Sequence, residues 1–223
     1  MKPRTLAFVA GLLAILAALE VDDQRLSGHM IQHLLLIEVA PALLLSGRAV
    51  HHLLRALPPR PRRSFGRGLV AVGRRAHPAL CLTLFAVIVL GTHVPVVFDA
   101  CARHDGLHIA QHGAYLFAGF VMWWPLLGEP IPRRRLGTIG QLSYITVAML
   151  PMTLLGAYLN RDQTLFYPAY AGPGALLDQQ RAGAIMWVGG TTLMAAVGLV
   201  AVLRSMLAAE RRQRARELHE VAR

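Results

Sequence analysis

Six stretches of the chain stay apolar for about 15–25 residues each, the length that crosses roughly 30 Å of hydrocarbon at about 1.5 Å per helical residue. They fall at about 5–20, 29–46, 78–98, 107–127, 138–159 and 183–206. A segment in lipid must satisfy its own backbone N–H and C=O groups, which for runs of this length means helix. The expected fold class is therefore all-α: a polytopic transmembrane helical bundle of about six spans, residues 1–223 forming one domain. No internal repeat, low-complexity tract or second domain interrupts the pattern.

Charge tests that reading. The 23 Lys and Arg outnumber the 12 Asp and Glu, for a formal net charge of +11. In a soluble domain such an excess would suggest nucleic acid; here its placement excludes that partner and points to a lipid membrane. No acidic residue occurs between Val39 and Phe98, while Arg48, Arg55, Arg60, Arg62, Arg63, Arg67, Arg74 and Arg75 crowd the connection 47–77. The "PPRPRRSFGRG" stretch (58–68) within it reads as a Pro/Arg connector. Lys2 and Arg4 precede the first span, Arg133, Arg134 and Arg135 follow the fourth, and Arg211, Arg212, Arg214 and Arg216 lie in the tail 208–223. That tail is expected to continue as an Arg/Glu helix. The three remaining connections are mixed or acidic, with Glu20, Asp22, Asp23 and Arg25, then Asp99, Arg103 and Asp105, then Arg161, Asp162, Asp178 and Arg181. Positive charge marks cytoplasmic loops, so both termini, the basic loop and the tail are expected in the cytoplasm. The short first run, with its basic start and Ala17 and Ala18, also fits a signal peptide. Cleaved or not, residue 21 emerges outside. Cys81 and Cys101 are twenty residues apart, about 30 Å of helix, which is beyond disulfide reach.

Histidine placement carries the functional reading. Of ten histidines, His51, His52, His77 and His219 fall on the expected cytoplasmic side. His29, His33, His93, His104, His108 and His112 fall at the outer ends of spans. From the helix rise, His33, His93 and His112 each lie roughly 6–8 Å below the outer surface. Residues i and i+4 share a helix face, so His29/His33 and His108/His112 can each present two nitrogens to one ion. Polar side chains inside a membrane face a bundle interior or a cavity. A metal site of His29, His33, His93, His108 and His112 is therefore expected, against the plainer alternative of interfacial histidines bonded to water and carbonyls. Imidazole alone does not choose among zinc, copper, iron and nickel. Met30, Met152 and Met186 near the outer ends favour Cu(I), though each also serves as packing. His104 and Cys101 could receive or pass on an ion. Glu38, five residues past His33 and on a different face, is a buried carboxylate with either a structural or a proton-handling role.

Several stretches, taken in order, are familiar as a set: "HMIQHLLLIEVAPALLLSG", "THVPVVFDA", "LHIAQHGAYLFAGFVMWWPLLGEP", "PMTLLGAYL" with "LFYPAY", and "DQQRAGAIMWVGG". Together they resemble the bacterial multi-span CtaG family of cytochrome c oxidase assembly proteins, over about residues 28–190. The resemblance implies a multi-pass plasma-membrane protein needed to assemble a haem-copper oxidase through handling of copper. The family's paired histidines map onto His29 and His33 and onto His108 and His112, and its histidine before a proline maps onto His93. Asp178 and Gln179 match the polar start of its last conserved span. Thr92 stands where the family often has tryptophan.

The expected function is thus a non-enzymatic assembly factor of the bacterial inner membrane. It would hold copper, Cu(I) by preference, on the periplasmic side and pass it to an oxidase subunit or another copper carrier. Homo-oligomerisation is left open. Two other readings use the same residues. A haem-binding electron-transfer protein would need His33 opposite His112 as axial ligands. An intramembrane di-metal enzyme would need carboxylates near the cluster, where only Asp99 and Asp178 are candidates.

Overall fold

The computed structural model describes residues 2–128 and 136–221. Arg133, Arg134 and Arg135 lie outside the described residues, as do the side chains of Arg74 and His219. Helices dominate: α1 (Pro3–Glu20), α2 (Leu26–Ser46), α3 (Ala49–Ala56), α4 (Pro59–Arg75), α5 (Pro78–Thr92), α6 (Pro95–Arg103), α7 (Asp105–Leu127) and α8 (Thr138–Arg161). The last, α9, starts as Ala175–Ala184 and ends as Thr191–Val221, so the tail does continue as helix. No strand occurs among the described residues, and the chain is an all-α membrane bundle.

By length and apolarity, four helices qualify as membrane spans: Pro3–Glu20, Leu26–Ser46, Thr138–Arg161 and Ala175–Leu218. A fifth is added if Pro59–Gly73 and Pro78–Thr92, which meet at 97°, are one bent span. The six expected runs meet two obstacles. The run 78–98 is broken, because Pro95 has no N–H to continue a helix and instead begins α6 at its first position. The helix α7 has 23 residues, but His108, Gln111 and His112 lower its apolarity. The stretch 58–68, read as a connector, is helical and belongs to α4. Pro59 sits at its first turn, and Phe65, Leu69 and Val72 recur on one face, which lines an open apolar groove together with residues of α1, α3 and α7.

Two of the long helices contain a π-helical turn, Leu35–Val39 in α2 and Ile185–Gly190 in α9. The first ends two residues before Pro41, whose ring would collide with the carbonyl four residues back in a regular α-helix; widening the turn relieves that collision. Here α7 packs backbone to backbone against α2. A Cβ on Gly119 would run into the Ile37 carbonyl and the Pro41 ring, so only glycine permits this approach. The core between the helices holds Phe85, Phe98, Tyr115, Trp123, Met122 and Met152, all 1% exposed or less. Leu13, Leu16, Ile109, Leu154 and Leu199 point outward from the bundle, as lipid contact requires. The face of α1 turned to α2 is small, with Gly11, Ala14 and Ala18 buried.

Candidate metal centre

The start of α2, the end of α5 and the start of α7 meet at one end of the bundle, and each brings histidine. His29 and His33 are one turn apart on α2, with ring centroids 4.1 Å apart; His108 and His112 repeat the arrangement on α7 at 4.2 Å. The two pairs face each other. His29 stacks on His108 at 4.9 Å and lies 6.0 Å from His112, while His33 lies 5.9 Å from His112. His93, the C-terminal cap of α5, reaches His33 at 5.6 Å. All five expected histidines therefore share one neighbourhood. Within it His29, His108 and His112 can bring one nitrogen each to within 4.8 Å of one another, which suits a common ion.

Hydrogen bonding tests whether these residues fit a metal. His93 Nδ1 lies 2.7 Å from the Val89 carbonyl oxygen, which can only accept, so Nδ1 carries the proton and the lone pair is on Nε2. That Nε2 is buried without a partner. His29 Nδ1 is bonded to the Tyr170 hydroxyl at 3.0 Å, and again Nε2 has no partner. Nε2 of His108 and His112 and both nitrogens of His33 are in the same condition. Buried polar atoms are normally satisfied, so this concentration of orphaned lone pairs at one point fits ligation.

Burial is graded across the group. His108 and His112 are half-buried, whereas His29, His33 and His93 are 1–2% exposed. Asp23 stands at the open side, its Oδ2 3.6 Å from His108 Nδ1. The structure thus provides an entrance with a carboxylate and an interior made of imidazole.

A second set of side chains, unmarked in the sequence, holds these rings in place. The Thr92 hydroxyl donates to the Ile88 carbonyl at 2.7 Å and accepts from Tyr115 at 2.7 Å; Tyr115 in turn lies 3.3 Å from His93 Nδ1 and against the His33 ring at 4.2 Å. Tyr167 donates to the His93 carbonyl at 3.0 Å and packs on Phe98, whose ring contacts His29, His33 and His93. Burial pushes the phenols of Tyr167 and Tyr170 above the ordinary tyrosine range, so both remain neutral hydroxyls. The loop bearing them is tied down twice. Gln179 accepts from the Phe166 amide and donates to the Thr164 carbonyl, and Asp99 accepts from the Ala169 amide. "LFYPAY" and Thr92 were visible as motif residues, but nothing in their spacing aims them at histidine.

The other candidates lie apart from the ring group. Asp178 uses both oxygens on Ser27, accepting from its amide at 3.2 Å and its hydroxyl at 2.5 Å, and so caps the start of α2. His104 is exposed at the N-cap of α7. Cys101 and Cys81 are buried free thiols. Met30, Met152 and Met186 are core residues, 1% exposed or less. Glu38 is fully buried in the π-helical turn of α2, and neither carboxylate oxygen has a partner.

Comparison with protein families matches residues 1–208 to the family described as cytochrome c oxidase caa3 assembly factor (Caa3_CtaG). No curated protein and no solved structure matches the chain.

Proposed function

Because the chain belongs to the cytochrome c oxidase caa3 assembly factor family, we propose that it carries copper, as Cu(I), and hands it to an oxidase subunit or to another copper carrier. One observation supports this above the rest: imidazoles from three helices converge with their Nε2 atoms unpartnered. Neutral imidazole suits copper, and five such groups exceed the four positions of a tetrahedral shell. An ion held by three of them can step to a neighbour without passing through a bare state. That favours transfer over permanent storage.

The role is transport and release rather than turnover. Carboxylates are scarce around the rings, with Asp23 at the entrance and Asp178 occupied by Ser27, which does not favour a di-metal enzyme. A haem would need a slot between histidines, and rings in contact at 4.1–4.9 Å fill that space themselves. We place the centre on the periplasmic side of the inner membrane, since the arginine-rich helix α4 belongs to the other end of the bundle.

Metal analysis of the purified chain, with and without added Cu(I), tests the reading. Wild-type protein should retain copper and show no Soret band. A His29→Gln/His112→Gln variant, with two of the three converging ligands removed, should lose the tightly held ion while remaining folded. Undiminished copper in that variant would sink the proposal.

A further inference from the structure

Glu38 is the one fully buried carboxylate among the described residues, and the histidine centre does not use it. It projects from the π-helical turn of α2 toward the π-helical turn of α9. A methyl group placed on Gly190, the last residue of that second turn, would stand 3.0 Å from Glu38 Oε1, 3.2 Å from a Leu34 methyl and 3.6 Å from the Met152 methyl. Glu38, Leu34 and Met152 therefore all approach the backbone of α9 at residue 190, where the missing side chain of glycine leaves room for them. The nearby hydroxyls of Thr153 and Thr191 are bonded to each other at 3.1 Å.

An ionised carboxylate sealed in a bundle interior with no partner costs several kcal/mol. Two occupants relieve it: a proton or a cation. Of the two side chains that meet Glu38 there, only Met152 offers an electron pair, and it distinguishes them. A thioether offers nothing to a carboxyl proton beyond a weak contact, but it is a good ligand for a soft ion. Cu(I) bound by one carboxylate and a thioether is neutral overall, which a dry interior tolerates better than the net positive charge of Cu(I) on imidazoles. Position separates this place from the histidine centre. Glu38 is five residues past His33, about 7.5 Å along the helix, and on a different face.

We propose that Glu38 and Met152, enclosed between the two π-helical turns, form a second, inner position for the soft monovalent cation held by the histidine centre. The inference rests on the copper reading above. Loading exchanges one particle for another: the ion enters, the carboxyl proton leaves to solvent, and the interior stays neutral.

The test uses the full chain in detergent, loaded with Cu(I) under reducing conditions. Wild-type protein should bind one copper per chain more than Glu38→Gln, which keeps the shape and removes the charge, and Met152→Leu should lose the same equivalent. Infrared difference spectra of the wild type should show the protonated carboxyl band, identified by its absence in Glu38→Gln, disappear on loading. Equal copper in wild type and Glu38→Gln overturns the inference, as does a carboxyl band that survives loading. Should Glu38→Gln fail to fold, the copper content of Met152→Leu decides: one equivalent fewer than wild type supports the inner position, and equal copper overturns it. Copper bound by the wild type with the band unchanged defeats only the inner position; no copper bound at all defeats the histidine reading and this one with it.

Discussion

Tyr115 shows how much of the centre depends on a residue that would touch no ion. Its hydroxyl joins Thr92, Gln111 and His93, and its ring lies under His33. Groups that orient ligating histidines typically contribute 10–100-fold to metal affinity. Tyr115→Phe should accordingly weaken copper binding about tenfold in a chelator competition, with helix content unchanged. An unaltered affinity would mean that the Val89 carbonyl alone fixes His93. That the histidines of α2, α5 and α7 meet was legible in the sequence, since i,i+4 pairs and a common depth are properties of helix geometry. The residues that orient them were not. Tyr167 and Tyr170 arrive on a loop whose path is set by Gln179 and Asp99 from other elements, and no local pattern encodes that path. Asp178 was misleading for a related reason. A carboxylate near a histidine cluster resembles a ligand until Ser27 is seen to occupy both oxygens.

At the scale of elements, the centre depends on how closely α2 and α7 approach, and Gly119 sets that approach. A side chain there meets the Ile37 carbonyl and the Pro41 ring, both backbone-fixed, so the clash has no flexible way out. Gly119→Val should destabilise the fold by about 1–3 kcal/mol, the usual effect of overpacking. Gly68→Ala, at a position with open space around it, should not. Thermal unfolding in detergent measures both, and a Gly119→Val protein as stable as wild type would show that the helices can separate freely. The helix lengths were legible from apolar runs, but not their interruptions. The run 78–98 reads as one apolar stretch, yet Pro95 breaks it, and the His93 carbonyl at the break accepts from Tyr167, far along the chain. The arginines of α4 hid a helix for a different reason: proline-rich, charged sequence looks irregular until Phe65, Leu69 and Val72 are seen to share one face, along the groove beside Trp124.

For the whole molecule, the question is which way the bundle faces. The histidine centre occupies one end, where α7 starts at Asp105, and α4 docks at the other, its Gly73 so close to the Trp124 ring that a Cβ would collide with it. Sixteen residues of helix separate His108 from Trp124, about 24 Å, most of a hydrocarbon core. Arginine is retained on the cytoplasmic side during insertion, and α4 carries Arg60, Arg62, Arg63 and Arg67 with no acidic residue to offset them. If those arginines are cytoplasmic, the histidines must open outward, and copper would enter past Asp23 without crossing the membrane. Single cysteines in a Cys81→Ala/Cys101→Ala background read this directly. Asp105→Cys, exposed beside the centre, should react with a membrane-impermeant maleimide on intact cells stripped of any outer barrier, whereas Arg63→Cys, exposed on α4, should react only after the membrane is opened. The reverse pattern would put the histidine centre in the cytoplasm, where a carrier would have to receive copper before export rather than after it.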